Sequence, residues 1–76
     1  SVHMRQPGIT VENGMVLMNA PYSGGEIRYT TDGTEPNADS KLYTAPFKHV
    51  KGQDVRARYY RNGTESVTTF ISPDQK

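Results

Sequence analysis

Five oxygen-bearing side chains, Asp32, Thr34, Glu35, Asn37 and Asp39, fall within one eight-residue stretch. That density would suit a hard divalent cation, since calcium takes six to eight oxygen ligands. The spacing does not follow the helix-loop-helix calcium pattern, and Pro36 limits how far the segment can wrap. Backbone chemistry explains the same residues more simply. In an Asp32-Gly33 turn the aspartate accepts hydrogen bonds from the N–H of Thr34 or Glu35, and glycine supplies a positive φ without steric cost. Pro36 fixes its own φ and holds Glu35 extended, and Ser40 is placed to cap loop amides. The expectation is a structural turn motif with no metal and no cofactor.

The remaining carboxylates, Glu12, Glu26, Asp54, Glu65 and Asp74, fall at turns or strand edges where water solvates them. A hydrolytic pair would need two acids across a cleft, one with its pKa raised by an apolar setting. His3 and His49 stand alone, and no nucleophile elbow, histidine pair or phosphate-binding glycine loop is present. No catalytic residue is therefore expected in this chain. One further cluster has chemical potential: Arg28, Arg56, Arg58 and Tyr60 on the outward side of neighbouring strands, with Arg61 near the loop and Tyr22 as a second exposed tyrosine. Guanidinium groups grip carboxylates or phosphates, and tyrosine offers a flat apolar face with a polar tip. The stripe reads as charged strand residues that block aggregation, as a docking surface for a partner domain, or as a glycan contact. The absence of tryptophan weakens any flat aromatic platform.

The elements that must carry these residues are strands. Two Asn-Gly dipeptides, Asn13-Gly14 and Asn62-Gly63, each lie between alternating segments, which is the strongest short-range hairpin signal. A two-residue loop pairs Glu12 with Met15 and sets Ile9, Val11, Val16 and Met18 on the core face. The second loop pairs Arg61 with Thr64. It places Val55, Ala57, Tyr59, Ser66, Thr68 and Phe70 inward and Arg56, Arg58, Tyr60, Glu65, Val67 and Thr69 outward, unless the loop has three residues and a bulge, which would shift the register by one. Residues 26 to 31 alternate as well, with Ile27, Tyr29 and Thr31 inward. Phe47 to Val50 makes a short segment, and Leu42-Tyr43 a stub. Asn62-Gly63-Thr64 matches an N-glycosylation acceptor, but the turn chemistry accounts for it. No window has helical periodicity, so the fold class is all-β: a small antiparallel two-sheet sandwich of fibronectin type III or immunoglobulin-like kind, with about six to seven short strands and no helix.

Seventy-six residues with a formal charge of +1 and no cysteine make one small domain stabilised by packing alone. A chain of this size buries only about 60 to 65% of its unfolded surface. The charge gives no field to attract nucleic acid or anionic lipid, and no apolar run is long enough to span a membrane. Ser1 to Met4 read as a leader left by cloning, residues 5 to 72 as the domain and 73 to 76 as a C-terminal tail. No signal peptide is present.

The run Ile27-Arg28-Tyr29-Thr30-Thr31-Asp32-Gly33-Thr34-Glu35-Pro36, followed by Ser40-Lys41-Leu42-Tyr43-Thr44-Ala45-Pro46, resembles the signature of the small fibronectin- or immunoglobulin-like domain at the C-terminus of bacterial β-N-acetylhexosaminidases (chitobiases) and related carbohydrate-active enzymes. The resemblance covers about Gln6 to Phe70. It implies a sandwich that packs on or spaces a catalytic barrel, with Tyr43 beneath the Asp-Gly loop. It also implies a periplasmic, outer-surface or secreted location, and the catalytic domain of the same polypeptide as partner. The family's catalytic Asp-Glu pair has no counterpart here, and a barrel of roughly 250 residues could not fit. The alternative is a carbohydrate-binding or adhesion module acting through Arg28, Arg56, Arg58 and Tyr60. The two readings share the fold and differ in what the outer sheet face touches.

Overall fold

The computed structural model describes residues 4–71; His3 and Asp74, most of the expected leader and the 73–76 tail lie outside the described residues. Among the described residues, eight short strands form two antiparallel sheets. β1 (Gly8–Glu12), β2 (Met15–Asn19) and β5 (Phe47–Lys48) make the first, in the order β1-β2-β5. The second contains β4 (Lys41–Leu42), β3 (Glu26–Thr30) and β6 (Val55–Arg61), with β7 (Thr64–Glu65) and β8 (Thr69–Ile71) both pairing with β6. There is no helix among the described residues, and hence none long and apolar enough to cross a membrane.

Both Asn-Gly loops are tight. Asn13 and Asn62 each sit at φ 52° with the following glycine also positive, the geometry that lets a two-residue loop match strand twist. Glu12 pairs with Met15 and Arg61 with Thr64, in the register the sequence predicts. Period-two alternation then sends Val16 and Met18 from one sheet and Ile27, Val55, Ala57 and Tyr59 from the other into a shared core. Full burial of side chains of this size is worth about 1.5–3 kcal/mol each. Met4 packs partly buried against the same core.

The second hairpin departs from its expected course after Ser66. Tyr60 faces Glu65, but Ala57 faces Thr69, Arg56 faces Phe70 and Val55 faces Ile71, so one extra residue lies on the returning strand. That residue is Val67, which is 63% exposed. The consequence is a correction of faces: Thr68 and Phe70 point outward, while Thr69 and Ile71 turn toward the core side. This β-bulge also splits the strand into β7 and β8, which raises the strand number to eight.

Ser66 explains how the bulge is accommodated. Its N–H donates to the Tyr59 carbonyl at 2.9 Å, as in a regular ladder. The Tyr59 N–H instead donates to the Ser66 hydroxyl at 2.9 Å, and that hydroxyl donates to the Val67 carbonyl at 2.8 Å. A side-chain oxygen thus takes the place of the ladder carbonyl that the bulge swings away. Ser66→Ala is expected to lose about 1–3 kcal/mol by leaving a buried amide unpaired, measured as a lower urea midpoint at unchanged m-value.

Tyr43 also lies elsewhere than expected. Its N–H donates to the Ile27 carbonyl at 2.8 Å, and it shares a groove with Met18, Gly25 and Ile27 at the start of β3, not beneath the Asp32-Gly33 turn at its far end. The position beside that turn belongs to Asp54, which is bridged to Asp32.

Candidate functional site

The outer face of the larger sheet carries a cluster of paired charges. β3 and β6 pair Arg28 with Arg58 and Thr30 with Arg56, so period-two alternation brings the three arginines onto one surface. Each guanidinium meets a carboxylate. Arg28 holds Glu26 at 2.6 Å, Arg56 holds Asp54 at 3.2 Å, and Arg58 holds Glu65 at 2.7 Å.

Glu35 joins the last two pairs, lying 3.7 Å from Arg56 and 3.8 Å from Arg58, and it also accepts the Thr68 hydroxyl proton. Thr68 in turn accepts from Arg58 Nε at 2.9 Å. An alternating chain Asp54–Arg56–Glu35–Arg58–Glu65 results. Sequence reasoning placed Glu35 as an extended residue of the turn motif; its role across the sheet depends on Pro36, fully buried, turning the loop back over β6, for which no local signal exists. Such partly exposed pairs are worth about 0–1 kcal/mol each. Their effect is to neutralise the arginine surface and leave it without strong cationic character.

Phe70 adds a ring to this surface, whereas Arg61 lies at the end of β6 on the side of Tyr59. Phe70 is 58% exposed beneath the Arg56 guanidinium, which lies 5.4 Å from its ring centroid. Arg61 sits 5.1 Å over the ring of Tyr22. Tyr22 and Tyr60, expected to be exposed, are both half-buried. Tyr22 packs edge-on to Tyr59 with ring centroids 5.4 Å apart, and its hydroxyl accepts the Arg5 N–H.

The Tyr60 hydroxyl is buried without a hydrogen-bond partner. Burial first, then the Glu65 carboxylate, raises its pKa above the ordinary 10.0. A raised folded-state value favours the neutral phenol, so its stability contribution is intact below the unfolded pKa and disappears as pH climbs through the folded one. Tyr60→Phe is expected to match or exceed the parent in melting temperature at pH 7. Its advantage should widen above about pH 10, as read by thermal denaturation across that range.

The turn motif is held by backbone contacts. Asp32 Oδ1 accepts the Thr34 hydroxyl at 2.6 Å and the Thr34 N–H at 3.2 Å, and these bonds, the hydroxyl foremost, lower its pKa. Gly33 adopts φ +83°, and a Cβ there would sit 3.0 Å from an Asp54 carboxylate oxygen. Ser40 Oγ accepts the Asn37 N–H at 2.9 Å, and Asn37 Oδ1 accepts the Asp39 N–H at 2.8 Å. Asp32 and Thr34 thus bond each other, Asn37 caps a backbone amide and Glu35 joins the arginines, so these oxygens do not converge on one point. No cluster of three or more His, Cys, Asp or Glu able to hold a metal occurs among the described residues. His49 donates its N–H to the Gly14 carbonyl, and its Nε2 is buried without a partner.

The family model described as Fn3 associated matches residues 16–71, which run from β2 through β8 and include the turn motif, the arginine surface and the bulge. No curated protein matches the chain.

Proposed function

The chain belongs to the Fn3-associated family, a class of accessory domain, and we propose that it serves as a non-catalytic spacer or docking module in a bacterial secreted or surface glycoside hydrolase, in the first instance a β-N-acetylhexosaminidase. One observation carries the accessory reading: the most distinctive residues of the sequence, Asp32 to Ser40, are occupied with holding backbone and sheet together. A motif of this kind preserves a scaffold. The glycosidase host follows from the resemblance of residues 27–46 to the chitobiase signature, and the partner is then the catalytic domain of the same polypeptide. Binding of glycan by the arginine face gains little support from guanidinium groups that already have carboxylate partners.

Expression of the encoding polypeptide with and without residues 8–71 tests the proposal. Hydrolysis of 4-nitrophenyl N-acetyl-β-glucosaminide should persist in the shortened protein with kcat largely retained and a lower melting temperature. A polypeptide that lacks a hydrolase domain, or hydrolysis by the 76-residue chain alone, would overturn it.

A further inference from the structure

The flank of the sandwich where edge strands β4 and β5 face each other is open. β4 ends one sheet and β5 the other, each only two residues long, and between them lies a groove of about 440 Å³, within the range of about 300–1,000 Å³ usual for small-ligand sites. Tyr29 and Phe47, stacked with ring centroids 4.8 Å apart, join the sheets at this groove. Thr31, Asp32, Lys41 and Gln53 line it as well.

The polar groups here are less occupied than those of the arginine face. Gln53 Oε1 is buried without a hydrogen-bond partner, which leaves a desolvated acceptor beside the groove. Asp32 uses Oδ1 for Thr34, and among the described residues nothing donates to its other oxygen. Lys41 forms no ion pair among the described residues. The groove thus offers a carboxylate and an amide oxygen as acceptors, an ammonium donor, and the apolar edges of two rings.

Ligand classes can be sorted against that set. One carboxylate and one amide oxygen fall well short of the six to eight ligands calcium takes. The polar groups leave no continuous apolar wall for a lipid chain, and Asp32 beside Lys41 leaves no net positive charge to favour an anion. A molecule with adjacent hydroxyls, which both donate and accept, and with C–H faces for the ring edges satisfies every feature. We propose that this groove between β3, β4 and β5 binds a neutral saccharide ring, with Asp32 and Gln53 accepting from its hydroxyls and Lys41 donating to one. This site is separate from the arginine face, and a sugar would bind here whatever domain the module is fused to.

Titration of the ¹⁵N-labelled 76-residue chain with methyl β-glucopyranoside, N-acetylglucosamine and chitotriose tests the site. At least one sugar should give saturable amide shifts at Thr31, Asp32, Lys41 and Gln53, with Kd near about 1 mM. Gln53→Leu should weaken that binding about tenfold by removing a hydrogen bond without lowering the melting temperature. Lys41→Ala, on an exposed edge, should also weaken it, and Arg58→Ala should leave it unchanged. Absence of saturation at about ten times that concentration, or shifts confined to the arginine face, would overturn the proposal. No hydrolase activity enters this titration, so its outcome is independent of the host enzyme.

Discussion

Tyr59→Ala is expected to remove about half of the stability of the isolated domain. Tyr59 is fully buried, and its ring meets Tyr22 edge-on. Its hydroxyl donates to the Tyr22 carbonyl, and its backbone carries the Ser66 bonds that accommodate the bulge. Truncating a buried aromatic of this kind costs about 3–5 kcal/mol. At about 0.05–0.15 kcal/mol per residue, a domain of this length has about 4–11 kcal/mol in total. Urea denaturation followed by circular dichroism should show the transition midpoint lowered by about half. Tyr59→Phe separates the two contributions, because it keeps the ring and leaves only the Tyr22 carbonyl without its donor. It should cost about 1–3 kcal/mol. A phenylalanine variant as unstable as the alanine one would show that the hydroxyl, and not the ring, dominates.

Gly25→Ala should rank beside it, for a reason that involves no backbone preference. A Cβ on residue 25 would fall 2.6 Å from Tyr59 Cζ and 2.7 Å from its hydroxyl oxygen, with the Tyr60 carbonyl also in the way. Neither neighbour is the free end of a flexible chain. Overpacking of this kind costs about 1–3 kcal/mol and sometimes more, and here it also drives the ring off the Tyr22 carbonyl. A double-mutant cycle resolves the cause: in a Tyr59→Leu background the Gly25→Ala penalty should shrink, since neighbours that clash do not add independently. Equal penalties in both backgrounds would place the clash on the Tyr60 backbone instead.

How much of this was legible in the sequence follows from whether the cause is local. The two Asn-Gly turns and the alternation of Ile27, Tyr29, Val55, Ala57 and Tyr59 fix pairing within a few residues, and the register of both turns and most of the core came out as predicted. The step at Val67 was not legible, because Ser66 substitutes its hydroxyl for a backbone carbonyl only once it lies against Tyr59. Gly25 reads in sequence as half of a Gly-Gly turn, and its contact with Tyr59 spans the sheet. The arginine stripe was visible from period two, whereas its neutralisation by Glu35 depends on a loop that returns from β3 to β6. The β4–β5 groove was not visible either, since it arises from two edge strands that are short in different sheets.

The hydroxyl of Thr69 donates to the carbonyl of Pro7 at 2.7 Å, so the first and last strands of the sandwich are tied to each other. A chain that enters and leaves a domain at neighbouring points can be grafted into a surface loop of a host as easily as it can be appended, because little closure entropy is spent. The same geometry makes the domain a fair subject for circular permutation, with new termini opened at the Asn13-Gly14 tip.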